Sequence, residues 1–384
     1  MYRQPTATRA EILEATGLNP ASLSHCLKRL IDAGLVLRVG ELEAKAGRPA
    51  DLLRLNSEAG YFVVVDLEAS PIRFAVSNLL GEIRSRWEEG DPAKAMEVSV
   101  IKRGVDMVCS PLSAQEREAV LAISICRPGI VDAEGRVTSV NLGWDRFPFG
   151  EKVREVLDKP VFVENAGRSY LLAEHWFGAA AGVRDCIFVE VGKGVGGAIF
   201  SRGEFFQGRT QAEFGHITVE PGAPDLCKCG KAGCMEAIAS ASNVVRQYLD
   251  RVGRPGQSVP SLTVNDVIDR ARRGDPHALA VTDRAVRALG LGLSYLSAIF
   301  NPEVFVVGGY FLGSEDFLLP RLRAELAMHA REWSGSCRVV PCATGSDIGL
   351  RGAAALAFYR VLEDPDLLRR LSEPRMRLAP KTRH

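Results

Sequence analysis

One histidine and three cysteines lie within nineteen residues, in the stretch EFGHITVEPGAPDLCKCGKAGCMEA. These residues are His216, Cys227, Cys229 and Cys234. Imidazole nitrogen and thiolate sulfur are the ligands of tetrahedral structural zinc sites, and the intervening glycines permit the tight turns that a metal loop requires. The spacing therefore predicts a structural Zn²⁺ site. The alternative is a set of unliganded buried thiols and a surface histidine.

Two glutamates, Glu213 and Glu236, flank this cluster. A metal in the loop would fix both carboxylates in space. Fixed carboxylates accept hydrogen bonds from hydroxyl groups, so the flanking pair predicts a site for a polar ligand. The alternative is that both are ordinary solvated surface acids.

Composition limits the class of protein. The 384 residues are 46% hydrophobic and 25% charged, with a net charge of +1, as expected of a globular chain of two or three domains. The near-neutral charge gives no overall nucleic-acid signal, so any such signal must be local. We see neither a cationic-apolar leader nor an apolar run long enough to span a membrane. With nine cysteines, this favours a cytoplasmic protein whose thiols are reduced or bind metal.

Residues 1–57 differ from the rest of the chain in their pattern of predicted helices and strands. TRAEILEATG carries a capping box from Thr8 to Glu11 and ends at Gly17, and the next helix starts at Asn19 and Pro20. Two short strands follow, LVLRVGELEA and ADLLRLN. Two short helices and a hairpin are the pattern of a winged helix-turn-helix DNA-binding domain, and a plain helical packing or dimerisation domain is the alternative.

In that interpretation the second helix enters the major groove. Eight basic residues against six acidic ones in residues 1–57 support it weakly. A winged helix normally has three helices, whereas almost no apolar residue precedes the first helix here. Three explanations for the missing helix are open. The domain is truncated, its true start lies upstream, or another part of the protein covers the face that the helix would cover. The predicted DNA contacts lie off the apolar helix face or in the wing: Ser22, Ser24, His25, Lys28, Arg29 and Arg48.

From Tyr61 onward, apolar strands alternate with helices, which predicts an α/β fold. YFVVVDL, followed by a turn and a second strand, is repeated later as DCIFVEVGKGVGGAIF. This repetition predicts two related lobes with a cleft between them. The glycine-rich turn of residues 192–197 could cradle a phosphate or could be a purely structural turn.

The chain resembles the ROK family of repressors, open reading frames and sugar kinases, in particular its repressor branch. The resemblance runs from about Thr8 to about Leu362. Its specific motifs are EFGH and CKCGKAGCME, and less specific segments are CRPGIVD, NLGW, VEN, NPEVFVVGG and GAAALA.

The resemblance implies an actin-like or hexokinase-like two-lobed, ATPase-type fold preceded by the small winged helix-turn-helix. We expect the first lobe at 58–168, with a helix at 347–363 returning to it, the second lobe at 169–346, and a disordered basic tail at 364–384. The family implies a sugar in the cleft, contacted at positions that match Asn165, Glu213, His216 and Glu236.

Four departures from the kinase pattern bear on function. The position of the kinase general base is Ala166, which cannot accept a proton. The first phosphate loop carries Glu68 in place of glycines, and Lys193 replaces the usual threonine of the second. Arg168 would place a cation near the cleft, which would favour an anionic ligand.

We therefore expect a carbohydrate-responsive transcriptional regulator, most simply a repressor, with no catalytic residue. Its partners would be an operator in double-stranded DNA, a sugar or sugar derivative, and further copies of itself in a dimer or tetramer. Two alternatives stay open: a sugar sensor that does not bind DNA, and an active sugar kinase with an appended N-terminal domain.

Overall fold

The computed structural model describes residues 6–42, 50–90, 97–139, 143–206, 208, 211–253, 255–256, 262–330 and 337–372. In this part of the chain no helix is long and apolar enough to cross a membrane.

The N-terminal domain has the predicted order of elements: β1 (Ala7–Thr8), α1 (Arg9–Thr16), α2 (Pro20–Asp32), β2 (Val36–Leu42) and β3 (Ala50–Leu55). Thr8 and Glu11 form the predicted capping box, and the Asn19 side chain caps α2 by accepting a hydrogen bond from the Ser22 amide at 2.9 Å. Strands β2 and β3 pair as an antiparallel hairpin, and β1 adds to its β3 side. The local sequence signals for this domain are thus confirmed.

The core of this domain is small: Leu23, Leu27, Val36 and Leu53 are its fully buried apolar residues. Part of the domain packs elsewhere, because Leu35 belongs to a larger cluster that also contains residues from α13 (Pro365–Ser372), late in the chain. The described residues include no helix before α1. The small domain therefore shares a hydrophobic cluster with the rest of the protein.

Helix α13 corrects the prediction of a disordered tail from residue 364. Its Leu367 and Leu371 are buried in the cluster that contains Leu35. The basic composition concealed a short amphipathic helix, and its apolar face finds a partner only in the folded protein. Residues 373–384 lie outside the described residues.

The first lobe is built on a five-stranded sheet of order β11-β7-β4-β5-β6. Strand β7 is parallel to both β4 and β11, whereas β4–β5 and β5–β6 are antiparallel. The strands are β4 (Tyr61–Asp66), β5 (Ile72–Asn78), β6 (Ile83–Glu89), β7 (Val120–Arg127) and β11 (Val161–Asn165). A small second sheet and three helices flank it: β8 (Ile130–Val131), β9 (Val137–Ser139), β10 (Trp144–Phe147), α3 (Val98–Cys109), α4 (Ala114–Glu118) and α5 (Phe149–Arg154).

The second lobe repeats this plan with a sheet of order β16-β15-β12-β13-β14, which confirms two related lobes. Its strands are β12 (Cys186–Val191), β13 (Val195–Ser201), β14 (Glu204–Phe205), β15 (Val304–Gly309) and β16 (Arg338–Pro341). Its helices are α7 (Met235–Ala239), α8 (Ala241–Arg251), α9 (Val264–Arg272), α10 (Pro276–Phe300) and α11 (Glu315–His329).

Two helices join the lobes: α6 (Ala166–Phe177) and α12 (Ile348–Glu363). Their buried faces share one cluster with Phe62 of the first sheet and Phe188 of the second. A side chain on Gly352 would collide with the backbone of α6, so the two helices cross at close range. The lobe boundary predicted after residue 168 falls inside α6, because this helix starts in the first lobe and packs against both sheets.

Candidate metal and carbohydrate site

The structure brings the four predicted metal ligands together. Their donor atoms all lie within 4.8 Å of one another, with 3.4 Å between His216 Nδ1 and Cys227 Sγ and 3.6 Å between Cys229 Sγ and Cys234 Sγ. Zinc bound at about 2.3 Å from sulfur in a tetrahedron requires sulfur atoms about 3.8 Å apart. The four side chains therefore form a group that could hold a metal ion.

The loop that carries these ligands depends on two backbone features. Gly233 has φ 70°, and a side chain there would collide with the carbonyl group of Glu220. Short bridges between Thr218 and Cys234 and between Leu226 and Ala232 close the loop. Only glycine fits a position that combines positive φ with such close backbone contact.

An ionic network also holds the loop from behind, and sequence reasoning missed it. Arg284 of α10 donates from Nη2 to Glu220 Oε2 at 2.6 Å and to Asp225 Oδ2 at 2.5 Å. Arg246 of α8 donates to the other Asp225 oxygen at 2.7 Å. Asp225 is buried, with 5% of its side chain exposed. Because Arg284 and Asp225 lie far apart in the chain, no local pattern indicates the pair.

His216 lies between the three cysteines of the candidate metal site and the glutamates that are predicted to bind sugar. Its Nδ1 faces Cys227, and its Nε2 lies 3.9 Å from Glu213 Oε2. Burial and the charge of Glu236 raise the pKa of Glu213, against the effect of His216. Even so, 47% of the Glu213 side chain is exposed, so the carboxylate is open to a ligand. One imidazole could thus bind metal through one nitrogen and a hydroxyl group through the other.

Glu236, the second predicted sugar ligand of this region, lies at the start of α7. Its Oε2 accepts a hydrogen bond from the Val195 amide at 3.0 Å, and its Oε1 lies 3.8 Å from Cys227 Sγ. The carboxylate therefore contacts both the metal loop and the glycine-rich turn before β13. Glu213, His216 and Glu236 form one group, as the sequence predicts.

Asn165 ends β11 in the first lobe and caps α6. Its Oδ1 accepts from the Arg168 amide at 3.2 Å, and its Nδ2 donates to the Gly129 carbonyl at 2.8 Å. Close backbone approaches lead from here towards the other lobe: Gly167 lies against Gly197 of β13. A sugar contact from Asn165 stays a prediction, since both amide atoms already have partners.

Gln211 is a lobe-bridging residue that the sequence did not indicate. It precedes Glu213 by two residues and forms two hydrogen bonds to the backbone of Val131 in β8: its Nε2 donates to the carbonyl at 2.6 Å, and its Oε1 accepts from the amide at 3.2 Å. These two hydrogen bonds connect the loop that carries Glu213 and His216 to the small sheet of the first lobe. Gln211 therefore joins the two lobes by hydrogen bonds.

The region that matches the kinase phosphate loops is acidic. Asp66 is buried and accepts hydrogen bonds from the amides of Glu68 and Ala69. Burial and the nearby Asp66 raise the pKa of Glu68 to about 7, against the effect of Lys193 and Arg127. Burial and the neighbouring acids Glu68 and Asp66 raise the pKa of Glu190 to about 8. Lys193 Nζ lies 3.4 Å from the Glu68 carbonyl. A polyphosphate here would meet carboxylates in place of the backbone amides that phosphate sites use.

Ala166, at the position of the kinase base, is buried at the start of α6. The expectation for Arg168 is not borne out, because its guanidinium is engaged elsewhere. Its Nε lies 3.7 Å from Glu164 Oε2, and the group stacks 4.4 Å from the ring centre of Phe205. Glu164 lies only four residues before Arg168, whereas Phe205 comes from β14 of the other lobe, and this second contact has no signal in the local sequence.

The predicted DNA contacts on α2 share one property: Ser22, Ser24, His25, Lys28 and Arg29 are all exposed. Leu23 and Leu27 of the same helix are buried. The helix therefore presents a polar face with two basic residues to solvent. Arg48 lies outside the described residues.

Two duplicated lobes, a connecting pair of helices and a polar cleft define an actin-like or hexokinase-like protein. The ROK family model matches residues 62–359, and the chain belongs to the ROK family.

The chain is similar to both branches of that family. It is 27% identical to the xylose repressor of Caldicellulosiruptor bescii, over 82% of each chain. It is 30% identical to the glucokinase of Halalkalibacterium halodurans, over 77% of this chain and 94% of the kinase. The solved structure of a ROK family transcriptional regulator, described as a homologue of the E. coli MLC protein, matches at 25% identity and a TM-score of 0.76, over 96% and 95% of the two chains.

Coverage separates these matches. The regulator structure matches 96% of this chain, so its match must include most of residues 1–57. The glucokinase match covers 77% of this chain although it takes in 94% of the kinase, so the kinase has no counterpart for a substantial part of this sequence.

Proposed function

We propose that this protein is a carbohydrate-responsive transcriptional repressor that binds operator DNA through α2 and the β2–β3 hairpin. The observation that carries the proposal is the exposed polar face of α2, on a domain that matches a solved transcriptional regulator. Lys28 and Arg29 on that face supply positive charge for phosphates, and Ser24 and His25 supply hydrogen-bonding groups for base edges.

The cleft is proposed to bind a sugar without phosphorylating it. Ala166 cannot accept the proton of an attacking hydroxyl group, and loss of a general base typically lowers the rate by roughly 10²–10⁴-fold. Glu68 stands where the kinase pattern has the glycines of the first phosphate loop, so the backbone cradle for the phosphates of ATP is missing on that side. Glu213, His216, Glu236 and Asn165 are the proposed sugar-binding residues.

Zinc is proposed as a structural cofactor held by His216, Cys227, Cys229 and Cys234. A bound ion would fix the loop and, through the imidazole of His216, the orientation of the group that faces Glu213. No chemistry on the ligand is required of it.

Coupling between cleft and DNA-binding domain has a physical route. Asn56 donates to the Gly34 carbonyl at 2.8 Å, and the Glu58 carboxylate accepts from Tyr61 and Asn78, each at 3.0 Å. The linker between the N-terminal domain and the first lobe is therefore bound at both ends. Lobe closure on a sugar, to which Gln211 responds, would reorient the N-terminal domain. Two such domains in a homodimer, or four in a tetramer, would then lose or gain the spacing of paired half-sites.

The test is fluorescence anisotropy of the zinc-loaded protein on the DNA upstream of its own gene, at stated salt, with and without a panel of sugars. We expect specific binding that one ligand changes. A matched control is Arg272→Ala, which removes an exposed cation of α9 far from the N-terminal domain in the chain. No specific binding by folded, metal-loaded protein would favour a sugar sensor that does not bind DNA.

The similarity to glucokinases favours a sugar kinase as the second candidate. A coupled assay for ADP release with a hexose panel tests it. Turnover that is abolished by Glu213→Ala would establish a kinase, whereas we expect none above the rate without sugar.

A further inference from the structure

Arg127 occupies the carboxyl end of β7, the middle strand of the three parallel strands in the first lobe. Its backbone is in register with Asn165 of β11, and the preceding Cys126 is in register with Asp66 of β4. Ligands of open α/β sheets bind in the crevice outside the carboxyl ends of parallel strands. Arg127 therefore lies where the fold places its ligand, next to the Pro128–Gly129 turn that Asn165 contacts.

The Arg127 side chain is almost completely buried, with 2% of the residue exposed. Its guanidinium carbon lies 4.9 Å from the ring centre of Trp144 and 4.4 Å from that of Phe149. Its hydrogen bond runs from Nε to the Pro128 carbonyl at 3.1 Å. Within the described residues Nη1 has no hydrogen-bond partner, and the guanidinium forms no ion pair with a carboxylate.

This arrangement is unfavourable for a purely structural arginine. Burial lowers the pKa of Arg127 to about 10, so the group is still charged at neutral pH. The two aromatic rings compensate part of the lost hydration, but they do not use the N–H donors. Guanidinium carries five donors in a planar fork that matches a carboxylate or phosphate. Only the Nε donor forms a hydrogen bond within the described part of the chain.

We propose that Arg127 is the anion-recognition residue of the cleft, and that the effector is an acidic sugar whose carboxylate or phosphate group it binds. The proposal rests on the carbohydrate-binding cleft of the proposed function and names its ligand class. Arg168 cannot take this role, because Glu164 and Phe205 engage it. Glu68 acts electrostatically on Arg127 from the neighbouring loop without forming an ion pair with it, so the donors of the guanidinium stay available to a ligand.

The test uses calorimetric titrations of the zinc-loaded full chain. The ligands are glucose, glucuronate and glucose 6-phosphate, together with N-acetylglucosamine and its 6-phosphate. Inorganic phosphate serves as the probe for a free anion. We expect at least one acidic sugar to bind wild type about tenfold or more tightly than its neutral parent. The glucuronate and phosphate arms distinguish the two anionic groups.

Arg127→Met should abolish this preference, so that the acidic sugar binds the variant no more tightly than its neutral parent does. The matched control is Lys152→Met, which removes an exposed cation 5.9 Å from the ring centre of Phe147 in the same aromatic region, and it should keep the preference. Arg127→Met should also melt no lower than wild type without ligand, because an apolar side chain replaces a buried unpaired charge.

Three results would overturn the proposal: no acidic sugar binds wild type better than its neutral parent, Arg127→Met retains the preference, or Arg127→Met is markedly destabilised. Operator binding measured on the same samples separates this proposal from the function. Operator binding that responds to neutral sugars equally in wild type and Arg127→Met would overturn the role of Arg127 alone. A preference for acidic sugars that depends on Arg127, in protein that does not bind the operator, would overturn only the proposal that the protein is a transcriptional regulator.

Discussion

The ionic network behind the metal loop gives a prediction with a magnitude. Arg284→Met removes the cation that joins Glu220 and Asp225 to α10 but keeps much of the apolar stem. Arg284 also donates to Gln247 Oε1 at 2.8 Å, so the substitution breaks a hydrogen bond between α10 and α8 as well. Asp225 would then keep one cationic partner, Arg246.

Breaking a buried ion pair by removing one partner costs about 3–5 kcal/mol. The lower end or less applies here, because Arg246 still compensates Asp225 and 36% of the Glu220 side chain is exposed to water. We therefore expect a loss of about 2 kcal/mol. If the loss falls on the loop that binds metal, zinc affinity falls by roughly 30-fold.

The assay is competition for zinc against a chromophoric chelator, with sugar affinity measured on the same protein. Arg272→Met is the matched control, since its two hydrogen bonds to Asp316 lie on the exposed surface of α9. Arg284→Lys should restore part of the affinity. Zinc affinity of Arg284→Met within threefold of both wild type and control would refute the reasoning.

Four further outcomes are expected. Cys229→Ser should release the metal and weaken sugar binding, as measured by metal analysis and titration; normal sugar affinity in metal-free protein would contradict this. Leu371→Ala should destabilise the α13 contact by about 2–5 kcal/mol, seen as faster amide exchange in the N-terminal domain. Lys28→Ala with Ser24→Ala should weaken operator binding and reduce its salt dependence; unchanged binding would exclude these contacts. Hydrogen bonds from Arg86 hold the pKa of Asp347 below its usual value. The ionised carboxylate therefore stabilises the folded protein, and this contribution should be lost as pH falls below about 4. Asp347→Asn should remove that part of the acid dependence of the free energy of unfolding.

The predicted caps and metal ligands show which parts of this protein are locally encoded. Thr8 and Glu11, or Asn19, satisfy amides within three residues, so their structure follows from short-range hydrogen bonding alone. His216 and the cysteines converge because their loop is short and rich in turn-forming residues.

Other expectations failed where long-range packing decides. The supposed tail forms α13 because its apolar face finds a partner only after the sheets and helices assemble. Arg168 pairs with Glu164, only four residues earlier, and the distant part of its environment is the ring of Phe205 in the second lobe. Gln211 lies far along the chain from its partner Val131 and left no pattern that sequence reasoning could use.

Residue types and short-range spacing were enough to predict most of the secondary elements, the group of candidate metal ligands and the repeated strand–turn–strand pattern of the two lobes. Each of these signals lies within one element or one loop. The replacement of the kinase base by Ala166 came from the resemblance to the ROK family. The pairing of charges is different, because it follows from the assembled fold. Arg284 is bound to the metal loop, whereas Arg127 lies buried without a counter-ion among the described residues. Desolvation and ion pairing depend on distances between segments far apart in the chain, and these distances exist only in the folded protein.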